Sequence, residues 1–436
     1  MPRVRRSVHD REILRLALPA LGALAAEPLY LLTDTAIVGH LGTRELAALA
    51  LAATVLVSAV ALCNFLAYGT TAQVARLHGA GEEERAGELA AQALWLAAAV
   101  GVVLAVVCVV FAEVIMDVVG GSGQAADDAA RYLRLSAAGL PCALIALAGQ
   151  GYLRGVGDLR TPLVVLIAAN VVNVVLEVVL VYGFDLGLDG SALGTVVAQL
   201  GMGAAFVVLL LRAPARSRRP ARALLRRLTS MGGDLIVRTG ALLAAFGLAG
   251  AVLARTGEDA LAAHQIGFQL FLLIALVLDA IAIAGQVIVG RLLGAGRADE
   301  AWAAARRMIG WSLVVGLGWT VLLAAMAGIL PRAFTSDPAV LDRAAELWPL
   351  LALLIPSGAV VFALDGILIG AGDTRFVAAA MVLSLAAFVP VVLSASAFGW
   401  GVVGVWAAIH VLMAARLATT AWRFAGRRWA VVGAGG

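Results

Sequence analysis

Residues 155–162 read GVGDLRTP, and residues 370–377 read GAGDTRFV. The second stretch lies 215 positions after the first. The same shift sets Pro141 on Pro356, Arg76-Leu77 on Arg291-Leu292, the GAG at Gly79 on the GAG at Gly294, and the LAA at Leu46 on the LAA at Leu261. Near Gly187 and Gly401 it slips to 214. One short match means little in a chain rich in Ala and Gly. Several in one register mark an internal duplication.

What is duplicated is a set of membrane spans. Of 436 residues, 62% are hydrophobic and 14% are charged. An average soluble domain carries roughly 25% charged residues. Apolar stretches of about 20 residues, the length that crosses a bilayer, start near Ile13, Leu46, Gly87, Arg131, Pro162, Ser191, Gly232, Leu261, Trp302, Glu346, Phe376 and Val402. Gly, Pro, Asp and Arg clusters separate them. Each repeat holds six spans, an even number, so both halves enter the membrane with the same orientation. The expected fold is an all-α integral membrane protein. Its twelve transmembrane helices form two six-helix lobes related by pseudo-twofold symmetry along the membrane normal. A cavity is expected between them near mid-membrane, as in secondary transporters. The lobes are read as residues 1–211 and 232–436, with residues 212–231 as an Arg-rich cytoplasmic linker.

Every one of the 32 basic residues is Arg. The N-terminal tail has Arg3, Arg5, Arg6 and Arg11. The linker RAPARSRRPARALLRR has seven, and the C-terminal tail has Arg423, Arg427 and Arg428. The loops DVVGGSGQAADD, GFDLGLDG and FGWG have none. The positive-inside rule then puts both termini and the linker in the cytoplasm. The basic surplus reads as topology, with no nucleic acid as partner. The basic N-terminus lacks a cleavage site and reads as an uncleaved first span. Cys63, Cys108 and Cys142 fall inside apolar runs without metal spacing and read as core residues.

Against this background, acids inside spans stand out. The first span, EPLYLLTDTAIVGHL, holds Glu27 and Asp34. Seven residues is close to two helical turns, so both lie on one face, roughly 10 Å apart along the axis. Pro28 removes a backbone hydrogen bond and is expected to kink the helix. Thr33 and Thr35 can donate to Asp34 or to freed backbone. In the fifth span, Asn170, Asn173 and Glu177 form one stripe at spacings of three and four. Thr195 adds a hydroxyl early in the sixth. An ionised carboxylate costs several kcal/mol in a bilayer, so such residues face protein or water and mark ion pathways.

The repeat sharpens this. By the 215 shift, Asp34 falls on Ala249, Glu27 on Leu242, Glu177 on Val392 and Asn173 on Phe388. A role in the scaffold alone would be needed twice. The acids therefore read as a cation site that loads and releases a proton. One proton moving down ~150 mV supplies about 3.5 kcal/mol, enough for a several-hundredfold solute gradient.

Asp279 has Asn64 as its counterpart and Asp365 has Gln150, so both are secondary candidates with a helix-packing alternative. Asp234 and Arg238, four residues apart, read as an ion pair at the cytoplasmic interface. His264 and His410 read as core residues. No cluster has metal-ligand spacing, and no segment reads GxxxxGK[ST]. No cofactor is implied beyond a coupling ion, H+ or Na+.

The stretches PLYLLTDTAIVGHLG, LRGVGDLRTPL, NVVNVVLEVVLVYG and LDGILIGAGDTR resemble the multidrug and toxic compound extrusion (MATE) family, in particular its DNA-damage-inducible protein F-like branch. The similarity runs from about Arg11 to Arg423. It implies a bacterial inner-membrane antiporter, not an enzyme. Such a protein exports amphipathic or cationic organic compounds in exchange for protons, or in some members sodium, and is read here as a monomer. It also implies that Asp34 is the main cation-coupling residue, with Asn173, Glu177 and Thr195 beside it. The family's fifth-span acid is commonly Asp; Glu177 departs from that by one methylene.

Two other readings stand beside it. A lipid-linked oligosaccharide flippase shares the architecture but needs a basic cavity. An intramembrane aspartyl protease would match GVGD and GAGD through its GxGD pattern. Those two aspartates sit at turns, at the same place in each repeat.

Overall fold

The computed structural model describes residues 8–434, so the tail arginines Arg3, Arg5 and Arg6 lie outside the described residues. Twelve helices are long and apolar enough to cross a membrane. We number them α1 (Asp10–Gly39), α2 (Thr43–Gly79), α3 (Glu83–Val110), α4 (Gly123–Gly155), α5 (Arg160–Gly183), α6 (Gly187–Leu211), α7 (Arg222–Thr256), α8 (Glu258–Gly294), α9 (Ala298–Ala325), α10 (Pro338–Gly370), α11 (Thr374–Ala397) and α12 (Gly401–Ala425). No strand occurs among the described residues. Helices satisfy every backbone group within the span, which a bilayer demands.

The duplication reappears in the helix ends. Moving α2, α3 and α4 along by 215 lands on the first and last residues of α8, α9 and α10; moving α6 by 214 lands on α12. The helix ends are built alike. Gly157 and Gly372 hold φ of +86° and +79°. In each case the next residue's N–H bonds five residues back, Asp158 to Leu153 O and Asp373 to Leu368 O. Glycine adopts this left-handed cap without a Cβ penalty. The packing repeats too. A Cβ on Gly151 would lie 2.7 Å from Ala67 O, and one on its counterpart Gly366 would collide with Ala282 O. Small residues let α4 and α10 approach α2 and α8 closely.

The chain forms two compact units. One is Gly22–Gly232; the other joins residues from Gly233 onward to the described residues up to Leu21. The opening segment, which the sequence reading assigned to the N-terminal lobe, thus groups with the second half. Asp10 there accepts two hydrogen bonds from Arg307, at 2.6 and 2.8 Å, and one from Trp311 at 2.8 Å. The linker is tied to α3 within the first unit: Gln92 donates to Arg219 O and accepts from Ala221 N, and Trp95 donates to Arg218 O.

The units differ in regularity. In the first, α2 is broken at Cys63 and Asn64, α4 contains a 3₁₀ turn at Ala137–Gly139, and α5 ends in a π turn at Val179–Gly183. Their counterparts α8, α10 and α11 carry no such irregularity. α1 remains one helix through Pro28.

Candidate functional site

The site is built where those irregularities fall. Asp34 is 3% exposed and Glu177 0%, so both carboxylates are shut away from bulk water. Ser191, on the second turn of α6, bridges them. Its hydroxyl lies 2.7 Å from Asp34 Oδ1 and 3.1 Å from Glu177 Oε1. One hydroxyl has one proton, so it donates to one acid at a time. The Glu177 Oε2 atom has no hydrogen-bond partner, and neither has Asn173 Oδ1. The π turn begins two residues after Glu177. Gly194 makes room for it: a Cβ there would lie 3.1 Å from Glu177 Cγ.

A second set of hydrogen bonds adjoins the first. Tyr30 OH and Thr195 Oγ1 are 2.8 Å apart, and Asn173 donates to Thr195 Oγ1 at 3.3 Å. Asn170 donates to Ala26 O at 2.9 Å, tying α5 to α1. The Tyr132 side chain, 2% exposed, faces Ser191 and Ser136 as well as both acids. The structure therefore brings Asp34, Glu177, Asn173 and Thr195 into one cluster.

Sequence reading missed Ser191, Tyr30 and Tyr132. Ser191 stands four residues before Thr195, and Tyr30 four before Asp34, so both share a helical face with a residue already singled out. Thr33 and Thr35 do not serve Asp34. They donate to Leu29 O and Leu31 O, one turn back, at 2.9 and 2.7 Å. A hydroxyl on a helix commonly bonds the carbonyl four residues earlier.

Two cavities open beside the cluster, both lined wholly by residues of the first unit. One, about 90 Å³, reaches Asp34, Tyr132 and Ser136. The other, about 210 Å³, reaches Asn64, Tyr68, Gln150, Arg154 and Asn170. Glu27, Tyr30, Val60, Thr195 and Gln199 line both. Glu27 is exposed to this space and has no side-chain partner among the described residues.

The remaining acids lie elsewhere. Asp365, 4% exposed, is gripped by two arginines. Arg238 reaches its Oδ2 at 2.6 Å and Arg416 at 2.7 Å. The expected partner of Arg238, Asp234, instead accepts a hydrogen bond from Thr374 at 2.9 Å. Those partners are 127 and 140 residues away in the chain, so a four-residue spacing gave no hint of them. Asp279 lies on α8, half-buried. Among the described residues no group of His, Cys, Asp and Glu is placed to hold a metal ion.

The GxGD aspartates sit at helix junctions and are engaged. Asp158 accepts from Arg160 N, Thr161 N and the Thr161 hydroxyl at the start of α5. Asp373 takes two hydrogen bonds from Arg423, at 2.6 and 3.1 Å. Turn capping and ion pairing account for both.

Comparison with known proteins agrees with this architecture. A family model described as MatE matches residues 19–179 and 243–394. Protein DETOXIFICATION 44, chloroplastic, of Arabidopsis thaliana is 32% identical over 435 residues, covering 95% of this chain and 82% of its own. DNA damage-inducible protein F of Escherichia coli strain K12 is 29% identical over 435 residues, covering 96% and 93%. A solved MOP superfamily transporter from Pyrococcus furiosus, described as having a binding pocket of reverse polarity, shares the fold. Its TM-score is 0.88 at 21% identity, over 97% of each chain.

Proposed function

This chain belongs to the MatE family, whose members are transporters and not enzymes, and from that premise we propose that it is a proton-coupled antiporter. It exports small amphipathic or cationic organic compounds by alternating access. It lies as a monomer in a bacterial inner membrane, with both termini cytoplasmic. Asp34 is the principal proton carrier and Glu177 its partner, with Ser191 bridging the pair and Asn173 and Thr195 hydrogen-bonded to each other beside it.

One observation carries the reading: two buried carboxylates share a single bridging hydroxyl. Two negative charges this close repel each other, and one proton on the pair removes the repulsion. Glu177 Oε2 has no hydrogen-bond partner, which leaves that oxygen free to take the proton. Releasing it restores the charge, so loading and unloading rearrange α1 against α5 and α6. A sodium ion is the other occupant such an oxygen cluster can hold, and it would use the same residues. The second unit favours a site confined to the first. Its counterparts of Asp34, Asn173 and Glu177 are Ala249, Phe388 and Val392, all within one apolar cluster.

Reconstitution in liposomes tests the proposal. A pH gradient and then a sodium gradient are imposed separately across membranes holding the wild type, Asp34→Asn or Glu177→Gln. Gradient-driven export of an organic cation is expected from the wild type with the pH gradient. Asp34→Asn should reduce the accumulated gradient from a several-hundredfold ceiling to near unity. Full export by Asp34→Asn would sink the assignment, and a sodium-only response would change the ion. Binding of a lipid pyrophosphate without cation export would favour a flippase.

A further inference from the structure

The acids of the first span separate in the structure. Asp34 is 3% exposed and hydrogen-bonded. Glu27, two turns earlier, is exposed, has no partner among the described residues, and lines both cavities. Through-space partners that hold a structural carboxylate are missing there, so helix tying does not explain it.

The larger cavity is chemically asymmetric. Its lining contains one acid, Glu27, and one guanidinium, Arg154. Arg154 already donates to Gln150 Oε1 at 2.8 Å. Gln150 is neutral, so Arg154 keeps its charge, but Arg154 is buried at 7% exposure whereas Glu27 is exposed, so the charge the lining presents to a solute is negative. Around it stand amides at Asn64, Asn170 and Gln199, the rings of Tyr30 and Tyr68, and apolar Leu24, Leu147, Leu166 and Met202. A carboxylate that shares a lining with two phenol rings and an apolar wall suits an organic cation. The carboxylate attracts the charge, and the ring faces attract it through their quadrupoles. A mostly apolar pocket with a few placed polar groups is the usual form of a small-molecule site.

The repeat supplies an independent check. Glu27 falls on Leu242, which packs against the apolar cluster of the second unit. The lining positions Ala23, Gln150 and Met202 fall on Arg238, Asp365 and Arg416. Those three are joined by ion pairs of 2.6 and 2.7 Å. So the unit without the acid fills the equivalent positions with its own charges, and the unit with the acid leaves a cavity there.

We propose that Glu27 is the substrate-binding carboxylate, receiving the cationic nitrogen of an amphipathic solute in the larger cavity while the Asp34–Glu177 pair handles protons. The inference rests on the export reading for its biological meaning. Its test is equilibrium binding without any gradient, so the two can fail separately. The probes are a dimethylaminostyryl-N-methylpyridinium dye and its neutral dimethylaminostilbene analogue, titrated by fluorescence into purified protein in detergent. Glu27→Gln keeps the shape and removes the charge. It should weaken the cationic dye about tenfold or more, the size of one modest charge contact of about 1.4 kcal/mol, and the neutral analogue less than twofold. Glu27→Asp should recover most of the lost affinity, and thermal melting of Glu27→Gln should match the wild type. Unchanged binding of the cation by Glu27→Gln, equal losses for both probes, or no binding of the cation by the wild type would each overturn the proposal. So would loss of proton coupling in Glu27→Gln with dye affinity intact, since Glu27 would then be a coupling group.

Discussion

The two halves share helix ends, glycine caps and close helix contacts, yet their interiors are opposite in character. Around Asp34 the first unit places Tyr30, Tyr132, Ser136, Asn173, Glu177, Ser191, Thr195 and Gln199. Through the 215 and 214 shifts, the second unit has Ala245, Leu347, Leu351, Phe388, Val392, Val405, Ile409 and Met413 at those positions. All belong to one buried apolar cluster. The irregular turns inside spans follow the same division. The break at Asn64, the 3₁₀ turn after Ser136 and the π turn after Glu177 all lie in the polar unit. Regular helices suffice where only packing is required. Where side chains must meet at a polar point, the helices are locally re-aimed, as π turns at functional sites often are.

That contrast can be broken at either unit. The largest effect on stability should come from Asp365→Asn. Removing one partner of a buried charged group costs about 3–5 kcal/mol, and here it leaves Arg238 and Arg416 facing each other. A scan of melting temperature in detergent should show the loss, while surviving protein in liposomes should keep the wild-type proton-to-substrate ratio. A changed ratio would place coupling chemistry in the second unit as well. Ser191→Ala should act in the opposite sense. It removes the hydroxyl that bridges both acids, and a proton held on the pair can replace that donor in the folded protein. Coupled export should fall roughly tenfold with little change in melting temperature. If Ser191→Ala transports normally, the bridge is incidental to the dyad.

Much of this was legible in the chain. Apolar runs of spanning length and a 215-residue repeat gave the twelve helices, because hydropathy and periodicity are local signals. Asp34 and Glu177 were conspicuous because a carboxylate in an apolar run is costly. Ser191, Tyr30 and Tyr132 were not, because an uncharged hydroxyl is common in such runs and only its neighbours give it meaning. The grip of Arg238 and Arg416 on Asp365 spans 127 and 51 residues of sequence, beyond the reach of spacing rules. Nor does hydropathy say which unit a segment joins, so the docking of Asp10 onto Arg307 and Trp311 emerged only from the fold.

The central claim is that the Asp34–Glu177 pair gives up a proton when substrate binds. Counting protons tests it most directly. Purified protein in weakly buffered detergent solution is mixed with the styrylpyridinium cation, and the pH change is followed with an indicator. The wild type should release protons in proportion to bound dye. The double variant Asp34→Asn, Glu177→Gln should bind dye and release none. Release by the double variant equal to that of the wild type would contradict the account.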